Sequence, residues 1–294
     1  DSLVLQDGAN TDTVNIKGAT IGGSVSIAQS TLVAKTVTLN EKSTMDLGTG
    51  SVANATQMDI SGKVTLGGTS NMTISTNLDM SDTSTLVMTG GADLDVNTID
   101  VDGGMVVQDS SVVAVQSIYA SNSSVEMKSS SVESQDTTVE GDLEMKDNSF
   151  VKISNLLEMS RSSSVNISSG ARMEAKVANL AGTAELSNAT LSIDQATYDK
   201  DSYTAVLSGA VIESQDTDLK GDLVMSGKSK MTIQNSLDMD TDSELVMSGG
   251  VQLTVDMATV SGSTVMNSSE LFVTTAVYVV GMLLWTASTR SAVE

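Results

Sequence analysis

The sequence predicts an all-β chain coiled as a three-sided, right-handed parallel β-helix, a β-solenoid of about 20 residues per coil and about 14 coils. Three observations carry that expectation: self-similarity at two periods, apolar residues alternating in short triplets, and a composition that suits only a thin core.

The longer period is about 80 residues. Ser134-Gln135-Asp136-Thr137 recurs as Ser214-Gln215-Asp216-Thr217, and Gly141-Asp142-Leu143 as Gly221-Asp222-Leu223. Leu78-Asp79-Met80, Leu157-Glu158-Met159 and Leu237-Asp238-Met239 follow the same spacing. The shorter period lies inside the longer one. Leu78-Asp79-Met80, Leu86-Val87-Met88 and Leu94-Asp95-Val96 are apolar-x-apolar triplets separated by Gly, Ser, Asp and Thr. Side chains alternate along a strand, so the outer two of each triplet face a common bore and the middle one faces solvent. Three two-step strands joined by small polar turns make one coil, and coils opening at Ile60, Leu78, Ile99, Ile118 and Val139 give about four per long repeat. Met80, Met159 and Met239 fall on one inner column, and Met88, Met127, Met145, Met225 and Met247 on another. A helical reading fails because triplets broken by Gly and Ser-Ser give no i, i+3, i+4 stripe. The right hand follows the general crossover preference, and at the usual strand spacing the coils make a rod roughly 70 Å long.

Composition agrees. Aromatic residues are 2% of the 294, which rules out a core built on large rings, while Val, Leu, Ile, Ala and 17 Met supply small and medium apolar side chains. Pro is absent, as a chain of nearly continuous ladder requires. Cys and His are absent, which removes disulfides, thiol chemistry and the commonest general base and metal ligand. The net charge of −22 excludes a nucleic-acid partner, which needs basic phosphate contacts. No basic, apolar-cored signal peptide precedes Asp1, as expected of a mature product or an excised segment.

The Ser/Thr/Asn/Gly-rich coils, the missing Cys and stacked triplets such as Leu94-Asp95-Val96 and Met231-Thr232-Ile233 resemble the right-handed parallel β-helices of bacterial surface proteins, the autotransporter passengers and filamentous-haemagglutinin-like adhesins. That resemblance implies adhesion, display or spacing outside the cell.

No residue set points to catalysis or a resident cofactor. Polysaccharide-cleaving β-helices need a carboxylate pair or basic residues in a groove, and the carboxylates here are scattered by repetition. The run Asp238, Asp240, Asp242, Glu244 suits weak Ca²⁺ binding or a solvated acidic turn. Thr36-Val37-Thr38 and Thr73-Ile74-Ser75 hint at an ice-binding face, but the pattern does not recur coil after coil. Asn54, Asn71, Asn122, Asn166, Asn188 and Asn267 are glycosylation sequons, usable if the source is eukaryotic. Near the C-terminus, Leu271, Val273 and Tyr278 match Leu191, Ile193 and Tyr198, so an apolar run that resembles a short membrane span begins as an ordinary coil. The expected organisation is one solenoid over 1–278 and an apolar segment over 279–294. In that segment Val279, Val280, Met282, Leu283, Leu284 and Trp285 cap the solenoid, join chains or anchor it in a membrane.

The expected function is a non-enzymatic extracellular structural rod of a surface filament, coat or adhesin, stacking end to end on itself or on other surface proteins. The alternative is an adhesin that recognises a glycan or host surface through one face.

Overall fold

The computed structural model describes the backbone of residues 2–6, 13–278, 282–286 and 290–293, and the side chains of residues 17–276. Every described element is a β-strand. The chain divides into two compact units, Asp1–Glu144 with Ser149–Lys152 and Met145–Asn148 with Ile153–Glu294. Within each, short strands of four or five residues alternate with long strands of nine or ten, short pairing with short and long with long, always parallel; the last strand, Arg290–Val293, is a four-residue member of the long-strand sheet. The fold is therefore a parallel β-solenoid, with about 13 turns of about 20 residues.

A turn contains two strands rather than three separate ones. Strand Asp93–Val101 carries two of the expected triplets, Leu94-Asp95-Val96 and Ile99-Asp100-Val101, separated by the outward pair Asn97-Thr98. The third triplet occupies a short strand, as in Gly104–Gln108 with Met105 and Val107 buried. Six side chains per turn thus enter the bore, and the middle residues Asp79, Glu126, Glu144, Asn166, Thr232 and Asp238 lie outside it.

The register corrects three of the coil openings. Met58, Leu78, Ile99, Ser117 and Thr137 occupy the same position on successive strands of the first unit. Ile60 and Val139 are the last, not the first, residues of their triplets, and Ile118 is an outward middle residue between buried Ser117 and Tyr119. A hydrophobicity pattern cannot find an inward position held by Ser or Thr. Two such pairs satisfy each other: Ser134 and Thr137 hydrogen-bond inside the bore at 2.6 Å, and Ser214 and Thr217 at 2.7 Å. The recurring Ser-Gln-Asp-Thr is thus a buried hydroxyl pair spanning the bend, with its central residues outside.

The eight methionines assigned to inner columns are all buried, whereas Met257 is exposed. In the second unit Met225, Met247 and Met266 sit on consecutive turns. Met159 and Met239, however, are separated by Leu180, Tyr198 and Leu219.

Between short and long periods lies one of about 40 residues, set by turn length. As far as strand Ser263–Asn267, the connection from a long to a short strand alternates between two and four residues. The four-residue turns begin at Asn40, Ser81, Ala120, Ser160, Asp199 and Asp240, and each ends in a buried Ser whose amide donates to the carbonyl of the first turn residue. The two-residue turns end in Gly, and these glycines pack under the preceding four-residue turn. A Cβ on Gly262 would lie 2.5 Å from the carbonyl oxygens of Asp240 and Ser243. No side chain fits at that approach.

The 80-residue period comes from the bore. Before the four-residue turns from Ser81 onward the inward pair alternates between Leu with Met and a small residue with Tyr: Leu78/Met80, Ser117/Tyr119, then Leu157/Met159, Ala196/Tyr198, Leu237/Met239; the turn at Asn40 follows Val37/Leu39. A larger ring is offset by a smaller neighbour, so the filled volume changes little, as close packing demands. The Leu/Met turns also carry a ten-residue long strand, whose extra residue shifts the register at the bend.

Three substitutions at two positions test this packing by urea unfolding. Gly262→Ala should cost about 1–3 kcal/mol through overpacking. Tyr198 is fully buried and its hydroxyl has no protein partner. Tyr198→Phe should therefore leave stability unchanged or raise it by up to about 1 kcal/mol, whereas Tyr198→Ala should cost about 3–5 kcal/mol.

Candidate functional site

The alternating turns give one edge of the solenoid a relief. In the first unit, the four-residue turns at 81–84 and 120–123 stand on either side of the two-residue turn Asp102-Gly103. Between them lies an open cleft of about 600 Å³, its walls carrying Asp59, Asp79, Asp100, Asp102 and Asn122. Asp59, Asp79 and Asp100 are outward residues in direct register on adjacent strands. Parallel strands are about 4.8 Å apart, so three like charges stack at that spacing.

Amides hold two of the three in place. Gln57 Nε2 donates to Asp59 Oδ1 at 3.0 Å and Asn77 Nδ2 to Asp79 Oδ1 at 2.6 Å, while Asn122 Nδ2 donates to Asp102 Oδ1 at 3.2 Å. Burial holds the Asp100 carboxyl above its ordinary value, and Asp79, Asp102 and Glu140 push it in the same direction. In the second unit the corresponding edge carries its own counter-charge. Arg161 bridges Asp199 at 3.6 Å and Asp201 at 3.0 Å, and Lys220 bridges Asp218 at 2.9 Å. The Asp218 bond and charge, with smaller help from Asp240 and Asp199, raise Lys220.

The acidic run in the second unit does not converge. Asp238 lies outward on its strand, Asp240 and Asp242 belong to a four-residue turn, and Glu244 opens the next strand. Asp240 turns its carboxylate onto the amide of Thr241 at 3.0 Å. Among the described residues no three acidic side chains are arranged to hold a metal ion. The chemistry open to the cleft is electrostatic: mutual repulsion, hydration and attraction of cations.

Of the sequon residues, Asn122, Asn188 and Asn267 are exposed. Asn54 and Asn166 are half-buried outward residues, and Asn71 accepts a hydrogen bond from the Thr73 hydroxyl of its own sequon at 3.1 Å. Val279 and Val280 lie outside the described residues. Met282–Thr286 is a short strand in register with Ser263–Asn267, and Arg290–Val293 pairs with Glu270–Tyr278. Strand pairing thus continues past residue 278. Among the described residues no helix is long and apolar enough to cross a membrane.

These features define a class, a parallel β-solenoid repeat protein whose outward residues vary on a uniform core. Beyond the class, no family model matches the chain, and no curated protein or solved structure is significantly similar to it.

The acidic stack makes a pH prediction. Because folding raises the Asp100 carboxyl above its ordinary value of 3.8, its protonated form stabilises the fold. That contribution is complete below pH 3.8 and is lost as pH rises through the folded value. Asp100→Asn should raise stability at neutral pH by about 0.5 kcal/mol after allowance for solvent screening. It should also flatten the fall of the melting temperature between mildly acidic and neutral pH.

Proposed function

We propose that this protein is a non-enzymatic structural rod that works outside the cell, as part of a surface filament, coat or adhesin, and that copies stack end to end. The in-register repetition of turns is the observation that carries this reading. Each turn contributes the same six inward positions and the same backbone ladder, so stiffness and length scale with turn number while the exterior stays free to change. A parallel turn also offers its unpaired edge to a further turn, whether from the same chain or from another copy. The last described strands include Met282–Thr286, whose unbroken apolar run Met282-Leu283-Leu284-Trp285 is longer than that of any preceding short strand. That run supports a buried contact at this end. The high Ser/Thr content and the acidity suit a well-solvated surface.

A second reading, an adhesin that recognises a glycan or host surface through one face, is supported by the cleft over Asp59, Asp79 and Asp100. Asp100 departs from the repeat, where Asn179 and Thr259 stand at the equivalent positions. A glycan-array screen that finds no binding, or binding unaffected by Asp79→Asn, counts against it.

Electron microscopy of the purified chain tests the rod. Filaments of single-solenoid width are expected from the full 294 residues, and deletion of 279–287 should abolish them. Filaments that persist in the deletion variant would overturn end-to-end stacking through this segment.

A further inference from the structure

On the short-strand face of the second unit, the outward middle residues Ala205, Val224, Val246 and Val265 lie in register on adjacent strands, and Leu284 continues the same row along the backbone. One repeat earlier the same positions hold Glu126, Glu144, Asn166 and Glu185. The core does not require the change at Val224, Val246 and Val265, which are half-buried outward residues beside inward Leu223, Met225, Leu245 and Met247, while the smaller Ala205 is buried at the end of the row. A row that is acidic and amide-bearing in one repeat and wholly aliphatic in the next marks a surface with a partner. Tyr203, 45% exposed, stands at its head.

The borders of the row say which partner. Asp222 and Glu244 open their strands on one border and Lys228 and Lys230 follow on the other, all four exposed. Among the described residues none of them forms an ion pair within the chain. A two-fold axis along the stacking direction reverses the strand direction across an interface. It sets the acidic border of one copy over the basic border of the other, with Asp222 facing Lys228 at the same level. A two-fold axis across the stacking direction would instead oppose acid to acid.

We propose that this face is a self-association surface: the Ala205–Val224–Val246–Val265 row packs against the same row of a second copy, the two solenoids lying parallel. The row spans about 20 Å along the stack and about 16 Å along the strands. It therefore buries roughly 300 Å² per copy, well below the ~800 Å² per partner of a stable interface. A single contact is weak, and it gains strength when several copies on one filament engage another filament together. The proposal does not depend on end-to-end stacking.

Sedimentation equilibrium of the full chain, from micromolar to millimolar concentration, tests it. Wild type should show a reversible monomer–dimer equilibrium, and Val246→Lys should weaken it at least about tenfold. Asp222→Lys and Lys228→Asp should each weaken the dimer, and the double exchange should restore it. If Val246→Lys misfolds by circular dichroism, Val246→Ser serves in its place. A wild-type chain that stays monomeric at millimolar concentration, or a dimer indifferent to these changes, overturns the proposal. In electron micrographs Val246→Lys should leave single filaments and remove side-by-side pairs, whereas deletion of 279–287 acts on the filament itself. The two readings therefore fail separately.

Discussion

Everything in this protein depends on one spacing. Parallel strands pair at about 4.8 Å, so each side chain entering the bore rests on the residue at the same position one turn away. The bore is narrow, and a change of volume cannot be absorbed sideways. It must be offset within the turn or by the turns above and below. The alternation of Leu/Met with a small residue and Tyr is that offset. The same spacing governs the backbone at the edge, where a four-residue turn projects over its neighbour and only Gly fits beneath it.

The spacing also constrains charge. Residues in register on the outside are as close as residues in register on the inside, so a row of identical carboxylates is a row of repulsions. The two units meet this differently. On the edge of the first, amides of Gln57 and Asn77 steady Asp59 and Asp79, and Asp100 is left harder to ionise. On the edge of the second, Arg161 and Lys220 neutralise their acidic neighbours. Where neither device is used, as in the Val224–Val246–Val265 row, charge has been removed altogether. A solenoid thus writes functional information in rows, and a row that departs from the repeat is the informative one.

The sequence by itself determined the parallel ladder, the 20- and 80-residue periods and the outward place of residues such as Asp79, Glu126 and Thr232. Two-residue alternation and small polar turns permit no other arrangement of so many short apolar triplets. It did not reveal that two triplets share one strand, because the outward pair at the bend resembles a turn in composition. Nor did it reveal the inward Ser117, Ser134 and Thr137, which hydrophobicity misses; a hydrogen bond across the bend satisfies Ser134 and Thr137. The 40-residue alternation was present as Ser and Gly at fixed places, but its cause is steric and appears only when one turn is laid on the next. The stacking of Asp59, Asp79 and Asp100, and the aliphatic row beside Asp222 and Lys228, join residues about 20 positions apart along the chain. Tertiary structure alone decides such rows, because register depends on how many residues each turn spends at its corners.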